Sequence, residues 1–547
     1  MGFWDSATNF FGGNKTDNTS EPDYEYEGED GGGEVDQSAF KDRKPAKLLS
    51  AGDVVYNEVL LVTQNGIYDI NDFVVEINIY EDMFSPCLHG NIVIRDTKNL
   101  IEKVPLVGDE ILTLDINTPE LAGENAQNFD PTNNIQRSFG VYAIKNRTLS
   151  NEDKEQLFVM HFMSLEGIRD NVTYLCQKYE GTTDSIVQKI FDESFKDIPK
   201  YVNEANKDNP DGSPKAEIYI GDTPHVSKVS FLPPMWTPFQ IFNYLAKRSL
   251  GTENPEAPTF LFYETTKAYY FMSVSGLIKT QLDNGFVQNK FKYRKRQYAE
   301  QIGPDALRAG YEHIEDFEFL TNVDIIQGQD LGHFASSLAT LDMVNKEFVP
   351  TIYDHGFDFQ KYPHLGNYKS SPHNTVPTKD EKKYNSIFPV NTIRSSDSKI
   401  FVESIHKGVL DSSDDDLMNL HPEKYVQQRN SLLSDITTLK VKVTVPGRTN
   451  MEVGQIVDLD YPSATSGRDG STPEEIRDQW VSGYYMITAI HHHITKLRHN
   501  AICELAKDSY LNELVSVSES APTEQAPATN NTNPPAANTN PPAAPTN

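Results

Sequence analysis

Alternating hydrophobic and polar positions occur twice in the same order along the chain, and this repeat predicts one small β-module used two times. In the first copy a Val-Gly pair opens an apolar strand at 107–115, and a Gly-x-Tyr-x-Ile segment follows at 140–144. In the second copy the same two pieces lie at 453–460 and 483–487. Each copy then ends in one more apolar strand. The alternative is that Val-Gly and Gly-x-Tyr are common patterns at strand edges.

One further strand upstream of each copy extends the predicted repeat. The strand at 90–96 precedes the first copy, and a similar apolar stretch at 337–342, downstream of Gly332, precedes the second.

The pattern of strands and turns in segment 51–180 predicts a first small antiparallel β-barrel. The stretch 75–80 alternates as a half-buried strand does, and Asn65-Gly66 is a strong turn signal. Further strands through 165 bring the total to about seven, a number typical of a small barrel or sandwich.

Segment 181–305 predicts a mixed domain of helices and a hairpin. Residues 183–185 are expected to cap one helix, and Thr237 followed by Pro238 to open a second. Two aromatic stretches then flank 264–267, as expected of a hairpin packed on a helix.

The second β-barrel is predicted from 306–352 and 436–512, separated by a loop-rich insertion at 353–435. The fold class is therefore mainly β with an α+β insertion: two duplicated small antiparallel β-barrel domains plus a mixed helix/hairpin domain. Residues 1–50 predict an acidic disordered arm, and 513–547 a disordered tail rich in Pro, Asn and Ala.

The net charge of −30 disfavours tight, sequence-independent DNA binding, which depends on Lys and Arg at the phosphates. No apolar run approaches the ~20 residues of a membrane span, so we expect no stable membrane insertion. The chain has three cysteines and no signal-peptide pattern, which predicts assembly in a reducing cytoplasm.

Catalytic motifs of the common hydrolases, nucleotide-binding proteins and metalloproteases do not occur in the sequence. We therefore assign no catalytic, cofactor-binding or metal-binding residue, and we predict a structural protein and not an enzyme. A pair of catalytic carboxylates remains an open alternative, because Asp and Glu are abundant.

Three weaker candidates have a functional and a structural interpretation. His491 and His493 share one face of a strand and could hold a metal, but hydrogen-bonded strand histidines are favoured over a metal site at 491–493. The acidic group at 411–416 lacks the spacing and glycine of a calcium loop. The basic and aromatic residues at 290–296 could meet nucleic acid, but a protein contact or solvated strand is favoured in so acidic a chain.

The chain resembles the baseplate hub proteins of contractile-tailed bacteriophages, which are related to the hub part of type VI secretion spike proteins. The resemblance spans about 51–512 and is carried by the order of its pieces. These pieces are 74–115 with Tyr80-Glu81-Asp82-Met83-Phe84-Ser85-Pro86, then Phe231-Leu232-Pro233-Pro234 with the helix at Thr237, then 484–492 with Leu505-Ala506-Lys507-Asp508.

The resemblance implies a homotrimeric ring at the centre of a virion tail baseplate, in which each subunit contributes two tail-tube-like barrels. Its expected partners are a separate spike protein, the first ring of the tail tube and the baseplate wedge proteins. DNA would pass through its channel without specific binding. The alternatives are a tail-associated cell-wall hydrolase, and the hub of a type VI secretion system or phage-like particle.

Overall fold

The strands and helices are those of a computed structural model, which describes residues 50–104, 106–118, 134–150, 155–203, 213–253, 257–283, 285, 289–293, 309–322, 324–369, 398–405, 417–463 and 477–512. The strands, numbered β1 to β23 in chain order, are Val55–Thr63, Gly66–Asp69, Val74–Asp82, His89–Asp96, Ile111–Asn117, Ile135–Ser150, Glu155–Ser164, Tyr179–Thr182, Ile218–Ile220, Lys228–Phe231, Phe260–Glu264, Tyr269–Ser273, Asn289–Lys292, Asp316–Asn322, Ala335–Asp342, Glu347–Asp354, Tyr368–Lys369, Ile400–Ile405, Leu439–Pro446, Ile456–Asp460, Gly483–Thr495, His499–Lys507 and Ser509–Tyr510. The α-helices, numbered α1 to α8, are Leu100–Lys103, Leu165–Asp170, Thr183–Phe195, Pro238–Ala246, Val274–Asp283, Ile325–Leu331, His355–Asp358 and Val426–Ile436. The predicted class, mainly β with added helices, is confirmed.

The predicted duplication is visible in the order of neighbouring strands. Thirteen strands form one continuous sheet, and two sets of five within it have the same arrangement. In the first module the neighbours run β3-β4-β7-β6-β5, and in the second they run β14-β19-β22-β21-β20. If the five strands of each module are numbered by their order in the chain, their order across the sheet is first, second, fifth, fourth, third in both modules.

The register of the two modules agrees at a shared β-bulge. The β6–β7 ladder shifts register between Val141 and Ala143, and the β21–β22 ladder shifts between Ile487 and Ala489. A bulge adds one residue to one strand and bends it. Val141 therefore corresponds to Ile487, and the equivalent segments read Val-Tyr-Ala-Ile and Ile-Thr-Ala-Ile.

Backbone hydrogen bonds before the bulge support this alignment and correct one detail of the sequence comparison. Val141 N donates to Glu110 O at 2.8 Å, and Ile487 N donates to Gln455 O at 2.9 Å. Gly140 is thus equivalent to Met486 and not to Gly483, so the two Gly-x-Tyr segments are three residues out of register. The apolar alternation, which points side chains into the core, sets the register instead.

The two Val-Gly pairs share a backbone conformation, although the equivalence of Glu110 with Gln455 leaves them one residue out of register. Gly108 has φ of 96° and Gly454 has φ of 87°, in the region that favours glycine. Each of these glycines precedes the third strand of its module.

The second module closes into a barrel. β13 runs parallel to β20, and on its other side Lys292 N donates to Glu312 O at 2.7 Å while Ile314 N donates to Lys292 O at 3.1 Å. The chain then enters β14, which pairs with β19. In the first module the corresponding strand, β5, instead pairs with β1, antiparallel.

The modules are joined edge to edge. β21 is long enough to pair with β22 along one side and with β3 of the first module along the other, from Ala489 opposite Asp82 to Thr495 opposite Glu76. Each module has its own apolar core, and Ile494 of the second module packs into the core of the first.

The segment after β14 departs from the prediction. β15 pairs with β16 and β18 in a separate three-stranded sheet, so the stretch at 337–342 is not the counterpart of the strand at 90–96. That counterpart is β19. The insertion into the second barrel therefore starts after β14 and not at 353, and it contains β18 and α8.

The mixed segment folds much as its sequence predicts. α4 opens with Thr237 as cap and Pro238 in its first turn, and β11 pairs antiparallel with β12. α3 begins one residue earlier than expected, with Thr182 at its N-cap position.

The turn of the β11–β12 hairpin reaches both modules. Glu264 forms a buried ion pair with Arg137 of β6, and Thr266 N donates to the carboxylate of Glu81 in β3 at 3.0 Å. Thr265 donates to Glu452 before β20 at 3.0 Å. This small domain therefore packs against the junction of the two modules.

Within the described residues, every helix is too short or too polar to cross a membrane.

Candidate assembly surface

The three-stranded sheet β16-β15-β18 has one covered face and one exposed apolar face. Ser336, Leu338 and Thr340 of β15 point to the covered side and are buried. Helix α8 lies there, and its buried Gln427 donates to Ser336 O at 2.9 Å. Because side chains alternate along a strand, the next positions of β15 point to the opposite side.

Registered cross-strand positions build the exposed face. Ile352 and Ile400 flank Ser337, and Pro350 and Val402 flank Ala339. The exposed fractions are 71% for Ile352, 63% for Phe348, 59% for Ile400 and 62% for Val402. We call these four residues with Pro350, Ala339 and Leu341 the apolar face.

Among the described residues, the positions of the three strands that share this side between Ser337 and Leu341 are apolar or serine, although the chain as a whole is highly charged. At the turn between β15 and β16, Met343 and Val344 are 73% and 51% exposed and extend the apolar area. Contiguous exposed apolar patches on a folded protein mark contact sites for other macromolecules, because their burial releases water. The sheet therefore offers a surface suited to protein–protein association.

The sequence does show two of the strands that carry this surface, but the predicted repeat placed them in the second barrel and not in a separate sheet. Residues 335–352 alternate like a barrel strand, and the repeat with 90–96 placed them in the second barrel. Alternation identifies the two faces of a strand but not which face a neighbour covers.

The histidine run lies on the seam between the modules. His491 Nε2 is 2.8 Å from Asn78 Oδ1, and its ring stacks on Tyr80 with centroids 4.6 Å apart. His493 Nε2 is 3.3 Å from Glu76 Oε2. The structure thus places His491 and His493 on one face of the strand, and the prediction that the run is hydrogen-bonded is confirmed.

His492 points the opposite way and is completely buried. Its Nδ1 is 3.0 Å from His499 Nε2. Burial, with His493 and His492 adding to it, lowers the pKa of His491 to about 4, so that ring is neutral at physiological pH. The neutral imidazole of His491 thus acts as polar packing between the strands.

The described part of the basic and aromatic strand has an ordinary structural explanation. Phe291 is buried in the second core, whereas Lys290 is exposed and Lys292 pairs with Glu312 at 2.6 Å. Tyr293 stacks on Tyr461 with centroids 5.6 Å apart. The alternation places both aromatic rings towards the second core.

Several sequence candidates lie outside the described residues. These are the acidic group at 411–416, the basic residues at 294–296, the arm at 1–49 and the tail at 513–547.

No protein-family model and no curated protein matches the chain. Among solved structures it is similar to a tail protein from Neisseria meningitidis MC58, with 9% identity, a TM-score of 0.43, and coverage of 83% of this chain and 97% of that one. It is also similar to the 43 kDa tail protein of prophage MuSo2 from Shewanella oneidensis, with 9% identity, a TM-score of 0.39, and coverage of 82% and 98%.

A third similar structure is the E. coli c3393 protein, a component of the type VI secretion system described as structurally similar to the T4 bacteriophage tail proteins gp27 and gp5. The identity is 8%, the TM-score is 0.33, and 81% of this chain and 77% of that chain are covered. The chain is thus similar to phage tail proteins and a secretion component, the class that its sequence resembles. Similarity this distant identifies no function.

Proposed function

We propose that this chain is a structural protein of a contractile phage tail, the central hub of its baseplate. The single observation that carries the proposal is the repeated strand order, β3-β4-β7-β6-β5 and β14-β19-β22-β21-β20, in two modules joined side by side. One chain therefore presents two similar modules at a fixed angle and spacing.

Two similar modules per chain make a homotrimer a useful adaptor. Three chains in a closed ring present six similar modules, while the ring itself keeps threefold symmetry. Such a ring joins a threefold spike on one side to a sixfold tail tube on the other. A separate spike protein, the first tube ring and the baseplate wedge proteins are the proposed partners.

The apolar face is the proposed contact between subunits of the ring. It is uncharged and exposed, and it lies on an insertion present in only one of the two modules. A contact made by only one of two similar modules gives threefold and not sixfold symmetry.

The net charge of −30 fits a ring around a DNA channel, because a negative surface repels phosphates and DNA slides past without binding. The proposed location is the virion tail baseplate, after assembly in the host cytoplasm. No enzymatic step is proposed.

The test is the mass of the protein in solution by light scattering, together with electron-microscopy class averages of the same peak. We expect a particle of three 61.6 kDa chains with six lobes around a central hole. The double variant Ile352→Glu, Val402→Glu should be monomeric with an unchanged circular dichroism spectrum. The matched control is Leu497→Glu, at a position 89% exposed on the β21–β22 turn, which should remain a trimer.

A wild-type chain that stays monomeric at every concentration would contradict the ring. A trimer that survives the double variant would keep the ring but move its interface away from the apolar face.

A further inference from the structure

Two histidines and one aspartate from distant parts of the chain meet in the interior of the insertion. His333 follows α6, His355 begins α7, and Asp435 lies near the end of α8. Their exposed fractions are 2%, 2% and 1%. One ligand atom of each lies within 4.8 Å of the other two.

Hydrogen bonds fix which nitrogen of each ring carries the proton. His333 Nδ1 is 3.0 Å from Ser431 O, which can only accept, so Nδ1 is the donor. Ser431 Oγ donates its proton to His333 O at 2.7 Å and can therefore accept from His355 Nδ1 at 3.3 Å. In the neutral form of each ring Nε2 then carries the lone pair, and neither Nε2 atom makes a hydrogen bond of normal geometry.

Both Nε2 lone pairs face the carboxylate of Asp435. His333 Nε2 is 3.6 Å from Asp435 Oδ1, and His355 Nε2 is 3.4 Å from Asp435 Oδ2. Buried lone pairs directed at a carboxylate repel it unless a positive charge lies between them.

The separations distinguish a proton from a metal ion. A charge-assisted hydrogen bond from an imidazolium to a carboxylate brings nitrogen and oxygen to about 2.7–2.9 Å. Zinc bonds of about 2.0–2.1 Å in a tetrahedron place neighbouring ligand atoms about 3.4 Å apart. The distances of 3.4 and 3.6 Å, one to each oxygen of the Asp435 carboxylate, are longer than such a hydrogen bond and close to the edge of such a tetrahedron.

We propose that His333, His355 and Asp435 form a binding site for a divalent metal ion, with zinc as the ion that this donor set suits best. Two imidazole nitrogens and one carboxylate are common zinc ligands, and Nδ1–H bonds to neighbouring oxygens are how metal-binding histidines are oriented. Water would supply a fourth ligand.

The nearby His364 supports the site and does not bind the ion. Its Nδ1 is 2.9 Å from Asp508 Oδ2 and its Nε2 is 2.9 Å from Phe359 O, so both ring nitrogens already have acceptors. It lies beside Asp435 and helps to balance the negative charge of that carboxylate.

The ion would fasten the insertion to the second barrel. His333 and His355 bracket the β15–β16 hairpin, and Asp435 lies four residues before β19 of the barrel. The metal would hold the sheet that carries the apolar face in place, whether or not the chain forms a trimer.

The test begins with the metal content of the full chain, purified without chelator or affinity metal and measured by plasma mass spectrometry. We expect about one zinc per chain in the wild type and in His493→Gln, a control within the histidine run. Asp435→Asn, which keeps the shape of the side chain, should lower zinc at least about tenfold.

A second measurement does not depend on the folding of the variant. Wild-type protein stripped with a chelator should melt at a lower temperature and recover its melting temperature with zinc. With Co²⁺ it should develop the intense visible absorption of a tetrahedral site. Absence of bound zinc together with absence of this Co²⁺ band would overturn the proposal, as would full zinc content in folded Asp435→Asn.

Discussion

At the scale of single residues, buried charge holds the junction of the three domains together. Arg137 of the first module is 2% exposed and pairs with Glu264 of the hairpin turn, while Glu166 of α2 lies 3.7 Å away. Its other nitrogen donates to Thr265 O at 3.1 Å. Removing one member of such a buried cluster is costly, because the remaining charged groups are left in the interior without a counter-charge and without water.

Arg137→Met should therefore lower the free energy of unfolding by about 3–5 kcal/mol, because Glu264 and Glu166 lose their counter-charge in the interior. Urea unfolding followed by circular dichroism measures the change. Arg95→Met is the matched control: Arg95 pairs with Glu155 but its side chain is 59% exposed, so the expected cost is about 1 kcal/mol or less. Equal costs for the two variants would contradict the role of burial.

Lys507 gives a dependence of stability on pH. Burial lowers its pKa to about 7, although Asp508 opposes the shift, and its Nζ donates to Trp480 O and Ser482 O at 2.9 and 3.0 Å. In the unfolded chain a lysine has a pKa of about 10.4. Between pH 7 and about 10 the unfolded state thus binds more protons, and this residue makes stability rise with pH.

The stability of the wild type relative to Lys507→Met should therefore increase from pH 7 to pH 10. Urea unfolding of both proteins at several pH values measures this difference. Lys279→Met is the control, because it removes a positive charge from an exposed ion pair with Glu253. The difference in unfolding free energy between the wild type and Lys279→Met should not rise with pH in the same way. A flat difference for Lys507→Met would show that Lys507 stays charged when folded.

At the scale of elements, the sequence predicts where a helix begins when the capping residues lie within a few positions of each other. Thr237 Oγ1 accepts from Gln240 N at 3.4 Å, and Thr237 N donates to Gln240 Oε1 at 3.2 Å. Both partners lie within three residues, so sequence alone predicts the start of α4. The start of α3 has no side-chain cap bond, and there the predicted boundary was one residue late.

Thr237→Ala should lower the melting temperature, with a cost in stability of about 1 kcal/mol, because the first turn of α4 loses its acceptor. Thr182→Ala, at the N-cap position of α3, should cost less, since the Thr182 side chain accepts no hydrogen bond from the backbone of the first turn. Thermal melts of both variants test which substitution lowers the melting temperature more. A larger decrease for Thr182→Ala than for Thr237→Ala would contradict the prediction.

At the scale of the whole molecule, the described strands form one continuous unit that ends near Tyr510. β23 pairs with β17 of the insertion, and the compact unit ends at Asn512. The cores of both modules and of the mixed segment lie entirely before that point.

Deletion of 513–547 should therefore leave the melting temperature unchanged, because no residue of these cores is removed. Differential scanning calorimetry of the full and shortened chains compares them directly. A lower melting temperature for the shortened chain would show that the tail stabilises the fold.

Local patterns in the sequence determined much of this protein: the alternating strands, the Val-Gly turns, the cap of α4 and the order of a repeated module. These features depend on neighbours within a few residues, and the sequence carries that information directly. Only the tertiary structure decided the register of Gly140 against Met486 and the separate sheet of β15. It alone brought together His333, His355 and Asp435, because contacts across about 100 residues depend on how whole elements pack.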